Sequence, residues 1–316
     1  MKMIDKLDLL KELCSIHAPA GSETPLTQFV LDYIEQNARH WKVQPEVFAG
    51  DGFQDCIVVK FGNPRTAVFA HLDSIGFSIG YGRRLLKIGG PVAESGYELE
   101  GITRKGKKVQ ASINVIEPAP GKSHGVLEYK SDGGIERGTP MTFRPNWRED
   151  DEYVQCCYMD NRLGVWNALR LMETLENGVV CFSCWEEHGG GAVPYLAKFV
   201  YEQWGVKQAL ISDITWVTEG VHHSEGVAIS MRDSGLPRRS YVNRIIDLAE
   251  ASGIPFQLEV ESAGGSDGNQ LQASPYPFDW CFIGAPEDHV HSPNEKVHKT
   301  DIKAMMELYR HLMEQL

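Results

Sequence analysis

The chain of 316 residues is 42% apolar and 23% charged, an ordinary globular composition that excludes a disordered, collagen-like or coiled-coil protein. Its 31 basic residues against 43 acidic ones give a net charge of −12, which argues against nucleic acid or an anionic membrane as a partner, because both attract basic surfaces. No apolar run approaches the ~20 residues of a membrane span, and the N-terminus lacks the pattern of a signal peptide. We therefore expect a soluble, cytoplasmic protein of roughly two domains.

The first third of the chain predicts two helices followed by two strands. Apolar residues share one helical face between residues 7 and 14, and Thr24 with the following proline is typical of a helix start. Short apolar runs predict strands over residues 55–61 and 66–70. These elements belong to a domain that we expect to resume later in the chain.

Residues 74–153 have a different character from the rest of the chain. They contain many glycines and short alternating runs, and they show no helical periodicity. We predict that they form a small β-rich domain, inserted into a discontinuous catalytic domain that consists of residues 1–73 and 154–316.

Helical and strand patterns alternate regularly after this insert. The predicted helices cover residues 162–175, 192–204, 241–251 and a last helix capped by Thr300, and the predicted strands cover residues 179–185, 209–212, 226–231, 256–261 and 279–283. Such alternation predicts an α/β fold with a mixed, largely parallel central sheet and helices on both faces.

The seven cysteines do not indicate a disulfide framework, because their number is odd and the chain is long. Cys181 and Cys184 form a C-x-x-C within the apolar run 179–185, where strand alternation would point them to opposite faces. We interpret them as buried thiols rather than as a redox or zinc site.

Potential metal ligands collect at the strand ends, where α/β sheets form their functional sites. The residues in question are His71 and Asp73, Glu186 and Glu187, Asp213, His291, and Asp160 at the start of a predicted helix. Imidazoles and carboxylates are the ligands of zinc and similar ions. Each residue alone has a simpler explanation, such as a helix cap or a loop hydrogen bond. Their predicted meeting at one sheet edge favours a metal site.

Five short motifs also resemble those of a known family. They begin at His71 (HLDSIGF), Asp160 (DNRLG), Glu186 (EEHG), Ser212 (SDI) and His291 (HSPNE). In this order they are similar to the cytosolic glutamyl and deblocking aminopeptidases, which are dinuclear-metal exopeptidases of the zinc-exopeptidase fold. The run GGSDGN at residues 264–269 is similar to the glycine-rich turn that precedes a helix in that family.

The resemblance implies a role for each residue. One metal ion would be held by His71, Asp160 and Asp213, and the other by Asp160, Glu187 and His291. Asp73 would accept a hydrogen bond from the ring of His71, and Glu186 would be the general base. Adjacent side chains on an extended segment point in opposite directions, so one glutamate of the pair can bind metal while the other carries a proton.

The leading hypothesis is therefore a metal-dependent aminopeptidase that releases the N-terminal residue of short peptides. Two divalent ions would activate a water molecule; zinc fits the mixed nitrogen and oxygen ligands best, although cobalt and manganese also suit them. The resemblance further implies a homo-oligomer in which the inserted domain forms subunit contacts.

Two other functions fit the same residues. A related metallohydrolase, such as a carboxypeptidase or an N-acyl amino-acid deacylase, could use the same ligands, and so could an inactive binding protein on the same fold. No G-x-S-x-G motif indicates a serine nucleophile.

The sequence leaves the preferred N-terminal residue open. Arg83-Arg84 and Arg238-Arg239 could contact an acidic substrate side chain, but we interpret them as surface pairs. After Asp213 the chain departs from the family's small-residue turn, so we expect the segment from Ile214 to His223 to border the substrate.

Overall fold

Two separate β-sheets organise the chain in the computed structural model, which describes residues 7–117 and 125–316. Residues 1–6 of the predicted catalytic domain and residues 118–124 of the predicted insert lie outside these ranges. Within the described residues the helices are α1 (Leu7–Cys14), α2 (Thr24–Asn37), α3 (Met159–Met172), α4 (Val193–Trp204), α5 (Arg239–Ser252), α6 (Asp267–Ala273) and α7 (Lys299–Gln315).

The predicted helices are present, but the N-cap residues predicted for two of them are wrong. Glu23, not Thr24, is the N-cap of α2, because the Thr24 hydroxyl donates instead to Asp55 at 3.2 Å. The N-cap of α7 is His298, whose ring accepts from the backbone N–H of Thr300. In α2 a distant partner draws the Thr24 hydroxyl away from the helix end, whereas in α7 the neighbouring His298 takes the capping position.

The larger sheet contains eleven strands, numbered in chain order together with those of the smaller sheet. They are β1 (Glu46–Gly50), β2 (Gln54–Phe61), β3 (Ala67–His71), β10 (Arg148–Glu149), β11 (Tyr153–Gln155), β12 (Gly178–Ser183), β13 (Gln208–Trp216), β14 (Val227–Arg232), β15 (Phe256–Val260), β16 (Asp279–Asp288) and β17 (Lys296–His298). The spatial order is β1-β2-β12-β3-β13-β16-β17-β11-β10, and β14 pairs with both β15 and β16.

The centre of this sheet is parallel and its flanks are antiparallel. Strands β12, β3, β13 and β16 run parallel to one another, whereas β2, β14 and β17 pair antiparallel with this central group. Every residue of β3 and β12 is buried, as expected for strands covered on both faces. The predicted mixed α/β fold is confirmed.

Two central strands extend further than their apolar runs predict. The β-branched and aromatic residues after Asp213 continue β13 to Trp216, because they pair with residues 285–287 of β16. Asp213 therefore lies inside a strand rather than just after one. The residues from Ile214 to Trp216, predicted to belong to a loop, belong to the sheet.

The smaller sheet is antiparallel and has six strands. They are β4 (Gly76–Ile79), β5 (Leu85–Ile88), β6 (Glu98–Ile102), β7 (Lys108–Ile116), β8 (Val126–Lys130) and β9 (Pro140–Phe143), in the order β5-β4-β9-β6-β7-β8. Strand β11 pairs instead with β17 of the larger sheet, and β10 pairs with β11, so the predicted boundary at residue 153 falls inside this ribbon. The division of the chain into two domains stays a prediction.

All seven cysteines are free and buried, as their interpretation as core thiols requires. Among the described residues, no helix has the length and apolar character needed to cross a membrane.

Candidate active site

His71 and Asp213 meet because their strands are parallel neighbours. The pairing of β3 with β13 brings Phe69 opposite Ile211, so His71 and Asp213, two residues further on, point to the same face at the carboxyl end of β3. The Nε2 atom of His71 lies 3.4 Å from Oδ2 of Asp213. Both side chains are almost fully buried.

Asp160 lies between two imidazoles. Its Oδ1 is 3.2 Å from Nε2 of His71, and its Oδ2 is 3.2 Å from Nε2 of His291. Asp160 is within the first turn of α3 with non-helical backbone angles, and it does not cap this helix, whose N-cap is Tyr158. The helix-cap explanation for Asp160 is therefore wrong.

The predicted ligands fall into two groups that share Asp160. The first group is His71, Asp160 and Asp213; the second is Asp160, Glu187 and His291. In each group the nitrogen and oxygen atoms that could bind a cation lie within 4.8 Å of one another. Oε2 of Glu187 is 3.3 Å from Nε2 of His291.

The charges of these groups fit divalent metal ions. Burial opposes protonation of His71, but the carboxylates of Asp213 and Asp160 outweigh it and raise the pKa of the imidazole. Burial also raises the pKa of Asp213 to about 6, with the nearby carboxylate of Asp160 adding to the shift. Carboxylates crowded in a buried site need a countercharge. Mixed imidazole and carboxylate donors at this spacing suit zinc and similar cations.

Glu186 and Glu187 lie in a turn after β12, not on an extended segment as expected. The carboxylate of Glu187 faces the second group, where its Oε1 accepts from the backbone N–H of Ile75 at 3.2 Å. The carboxylate of Glu186 lines a cavity beside both groups, and it has no hydrogen-bond partner among the described residues. The two side chains thus have different surroundings, although strand alternation is not the reason.

The carboxylate of Asp73 holds this turn in place through two hydrogen bonds. Its Oδ1 accepts from the backbone N–H of Glu186 at 3.1 Å, and its Oδ2 accepts from that of Glu187 at 3.0 Å. Nδ1 of His71 lies 3.1 Å from the backbone carbonyl of Asp73 and 3.6 Å from its carboxylate. The main-chain carbonyl of Asp73 is therefore the nearer acceptor for the ring, and the carboxylate, which lies at ion-pair distance from the ring, also holds the backbone of both glutamates.

We expect Asp73→Ala to weaken metal binding without abolishing it. Carboxylates that orient metal ligands typically contribute ~10–100-fold in affinity or activity, and Asp73 orients Glu187 through its backbone. His71→Ala should weaken binding more, because it removes a donor atom itself. Metal titration by calorimetry measures both variants; equal losses would mean that Asp73 is a ligand.

Glu295 is a residue whose role the sequence did not reveal. Its Oε1 accepts from the backbone N–H of His291 at 3.0 Å, and its Oε2 from that of Asp160 at 3.4 Å. This buried carboxylate fixes the backbone of two potential ligands at once. The motif that begins at His291 contains Glu295, so its position four residues after a ligand was the available signal.

A cavity of about 240 Å³ opens beside the two groups. All the predicted site residues except His71 and Asp73 line it, together with Ile214, Thr215 and Trp216. The first three residues of the segment that we expect to border the substrate therefore line this cavity. His222 is exposed and His223 pairs with Asp288 at 3.0 Å, so neither belongs to the two groups. Both arginine pairs are exposed and lie outside the cavity lining.

Comparison with known proteins connects this site to a family. A protein of Acetivibrio thermocellus named "Putative aminopeptidase" is 24% identical over 98% of both chains. The structure of aminopeptidase APDkam598 from Desulfurococcus kamchatkensis matches with a TM-score of 0.85 at 20% identity, over 99% of this chain and 95% of that one. The TET1 peptidase of Pyrococcus horikoshii matches with a TM-score of 0.80 at 21% identity, over 98% and 100%.

These structures share the fold of this chain, and a family model covers more than half of its length. The model describes the M42 glutamyl aminopeptidases and matches residues 128–308, which include Asp160, both glutamates, Asp213 and His291. The resemblance read from the five motifs is thereby confirmed. The chain belongs to the M42 glutamyl aminopeptidase family, a family of metal-dependent aminopeptidases.

Proposed function

We propose that the protein removes the N-terminal residue of short peptides with the help of two divalent ions. The observation that carries this proposal is the pair of ligand groups that share Asp160 beside the cavity. His71, Asp160 and Asp213 would hold one ion; Asp160, Glu187 and His291 would hold the other. Bound there, the ions would supply Lewis-acid activation of the scissile carbonyl and of a water molecule.

Glu186 is the general base in this proposal. It takes a proton from the attacking water and delivers it to the nitrogen of the leaving peptide, so that the C–N bond breaks as the carboxylic acid forms. Two features support this role: its carboxylate lines the cavity without a hydrogen-bond partner among the described residues, and burial raises its pKa. A carboxylate with a raised pKa is a stronger base than one in open water.

Asp73 and Glu295 are positioning residues. Asp73 holds the backbone of the two glutamates, and Glu295 holds that of Asp160 and His291. Zinc fits the mixed nitrogen and oxygen donors best, and cobalt or manganese would also suit a donor set with this many carboxylate oxygens.

We further infer that the chain forms a homo-oligomer in the cytoplasm. The related TET1 peptidase of Pyrococcus horikoshii can assemble into a tetrahedron or a large octahedral shell. Seven reduced cysteines suit a reducing compartment. In this proposal the six-stranded sheet supplies subunit contacts and restricts the access of larger substrates. Light scattering that finds a monomer at micromolar concentration would contradict it.

The experiment that tests the proposed function combines metal analysis with peptide hydrolysis. The purified protein should contain bound metal and hydrolyse an aminoacyl-anilide; chelation should abolish this hydrolysis, and added zinc, cobalt or manganese should restore it. A free peptide should be cleaved, whereas its N-acetylated form should not. Cleavage of only the acetylated form would indicate a deacylase, and release of C-terminal residues a carboxypeptidase. Metal binding with no hydrolysis would indicate a binding protein.

A further inference from the structure

Three carboxylates line the part of the cavity that the proposed ligands and Glu186 leave open. They belong to Asp233, Glu259 and Glu261, which we call the acidic pocket. Asp233 and Glu259 are only 6% and 4% exposed, and Glu261 is partly exposed. Among the described residues, no lysine or arginine lines this cavity. The acidic pocket is therefore a mostly buried cluster of carboxylates in a cavity whose described lining contains no lysine or arginine.

Glu259 contributes a buried carboxylate with incomplete hydrogen bonding to the wall of this cavity. Its Oε1 accepts from the hydroxyl of Thr215, and its buried Oε2 makes no hydrogen bond of normal geometry among the described residues, although the hydroxyl of Ser230 lies beside the carboxylate. Burial raises the pKa of Glu259, the hydroxyls of Thr215 and Ser230 partly offset this effect, and the nearby carboxylates of Asp233 and Glu261 add to it. A buried carboxylate oxygen without a partner is costly in free energy. A ligand that carries an ammonium or guanidinium group would supply the missing positive charge.

Strand geometry connects the acidic pocket to the proposed reaction centre. Asp213 and Thr215 are two residues apart on β13, so their side chains share a face at a spacing of about 6.6 Å. Because Thr215 contacts Glu259, the acidic pocket lies one such step from a proposed metal ligand. Trp216 and Phe282 add aromatic walls to the cavity. Such walls suit the methylene stem of a long basic side chain.

Arg232 lies beside the acidic pocket and its charge partly offsets the effect of burial on the pKa of Asp233, but it is bonded to the main chain rather than to a carboxylate of the pocket. The guanidinium of Arg232 donates at 3.2 Å to the backbone carbonyl of Asp233 and lies outside the cavity lining. Oδ1 of Asp233 accepts from the backbone N–H of Gly235. An acidic substrate side chain would thus be repelled by the carboxylates of this cavity, whereas a basic side chain would be attracted to them.

We propose that the acidic pocket selects peptides whose N-terminal residue is lysine or arginine. This inference rests on the proposed aminopeptidase function and names the substrate class of the same site. The family name describes glutamyl aminopeptidases, so the proposal assigns this chain a preference of opposite charge. Glu259 and Asp233 are the specificity-determining residues, and Glu261 adds charge at the more exposed part of the pocket.

The test compares lysine with norleucine, which has the same chain length without the side-chain ammonium. Hydrolysis of lysyl-, norleucyl- and glutamyl-anilides by the metal-loaded enzyme should give a kcat/KM for lysyl at least about tenfold above norleucyl, with glutamyl lowest. In parallel, calorimetry should show that free l-lysine binds the protein more tightly than l-norleucine. This second readout does not depend on turnover.

Three isosteric variants identify the residues responsible. Glu259→Gln and Asp233→Asn should each lower the lysyl-to-norleucyl ratio of kcat/KM several-fold, and so should Glu261→Gln, whose partial exposure makes it the substitution least disturbing to folding. The matched control is Asp247→Asn, an exposed acid on α5 outside the cavity lining, which should leave the ratio unchanged. Thermal unfolding of each variant checks its fold.

The possible results separate this inference from the proposed function. Equal rates for lysyl and norleucyl substrates would overturn it, because the carboxylates would then serve only the α-ammonium group common to both. A preference for glutamyl would overturn it as well. If none of the three substrates is cleaved, the proposed function fails, and the binding of lysine against norleucine still decides whether the acidic pocket recognises a basic side chain.

Discussion

Asp160→Asn is expected to lower the occupancy of both metal positions and to reduce peptide hydrolysis more than about 100-fold, beyond the ~10–100-fold typical of residues that only orient a ligand. Asp160 is the residue common to both ligand groups, with one oxygen directed at His71 and the other at His291. Asparagine keeps one oxygen without the negative charge. Its nitrogen carries two hydrogens and cannot replace the second oxygen as a ligand.

The number of metal ions per chain checks this prediction. After equal loading, mass spectrometry should find two ions in the unmodified protein and fewer at both positions in Asp160→Asn. The matched variants Asp213→Asn and Glu187→Gln should each lose one ion, since each residue belongs to one group only. An Asp160→Asn protein that keeps both ions would contradict the shared-ligand assignment.

The second prediction separates the two adjacent glutamates. Glu186→Gln should keep both metal ions and the fold but lose at least the ~10²-fold attributed to a general base, because glutamine cannot accept and release the proton. Glu187→Gln should lower the occupancy of one ion, and excess metal should partly restore its activity. Kinetics with an aminoacyl-anilide, together with metal analysis, measures both effects.

These two variants control for one another, since the substitutions are isosteric and the positions adjacent. If Glu186→Gln emptied a metal position while Glu187→Gln did not, the two roles would be reversed. Near-normal turnover by Glu186→Gln would exclude its role as the base. Small effects from both would mean that the pair is merely solvated, although the hydrogen bonds from both backbones to Asp73 argue for a defined turn.

The fold class and the candidate ligands could be predicted from sequence because each depends on local pattern. The apolar runs that end at His71 and shortly before Glu186 are buried strands, and a parallel sheet gathers its carboxyl-terminal ends at one edge. The order of the five motifs then pointed to the family, which the match over residues 128–308 confirms.

The details of contact were not predictable in this way. The hydrogen-bond partner of the His71 ring is a backbone carbonyl, the glutamates lie in a turn, and the first residues after Asp213 continue a strand. Each of these depends on a partner distant in sequence: Asp73 contacts a turn more than 100 residues away, and β13 is extended by pairing with β16.

The sequence by itself determined the α/β architecture, the family and the set of residues able to bind metal, because periodicity and motif order are local properties. Only the tertiary structure decided that Asp73 holds both glutamates in a turn and that Glu259 reaches Thr215 within one cavity. Glu259 and Thr215 lie on strands that are not neighbours in the sheet, and 44 residues separate them. Their hydrogen bond depends on the folded chain, and burial, which also exists only in the folded chain, is what makes the charge of a carboxylate costly in free energy.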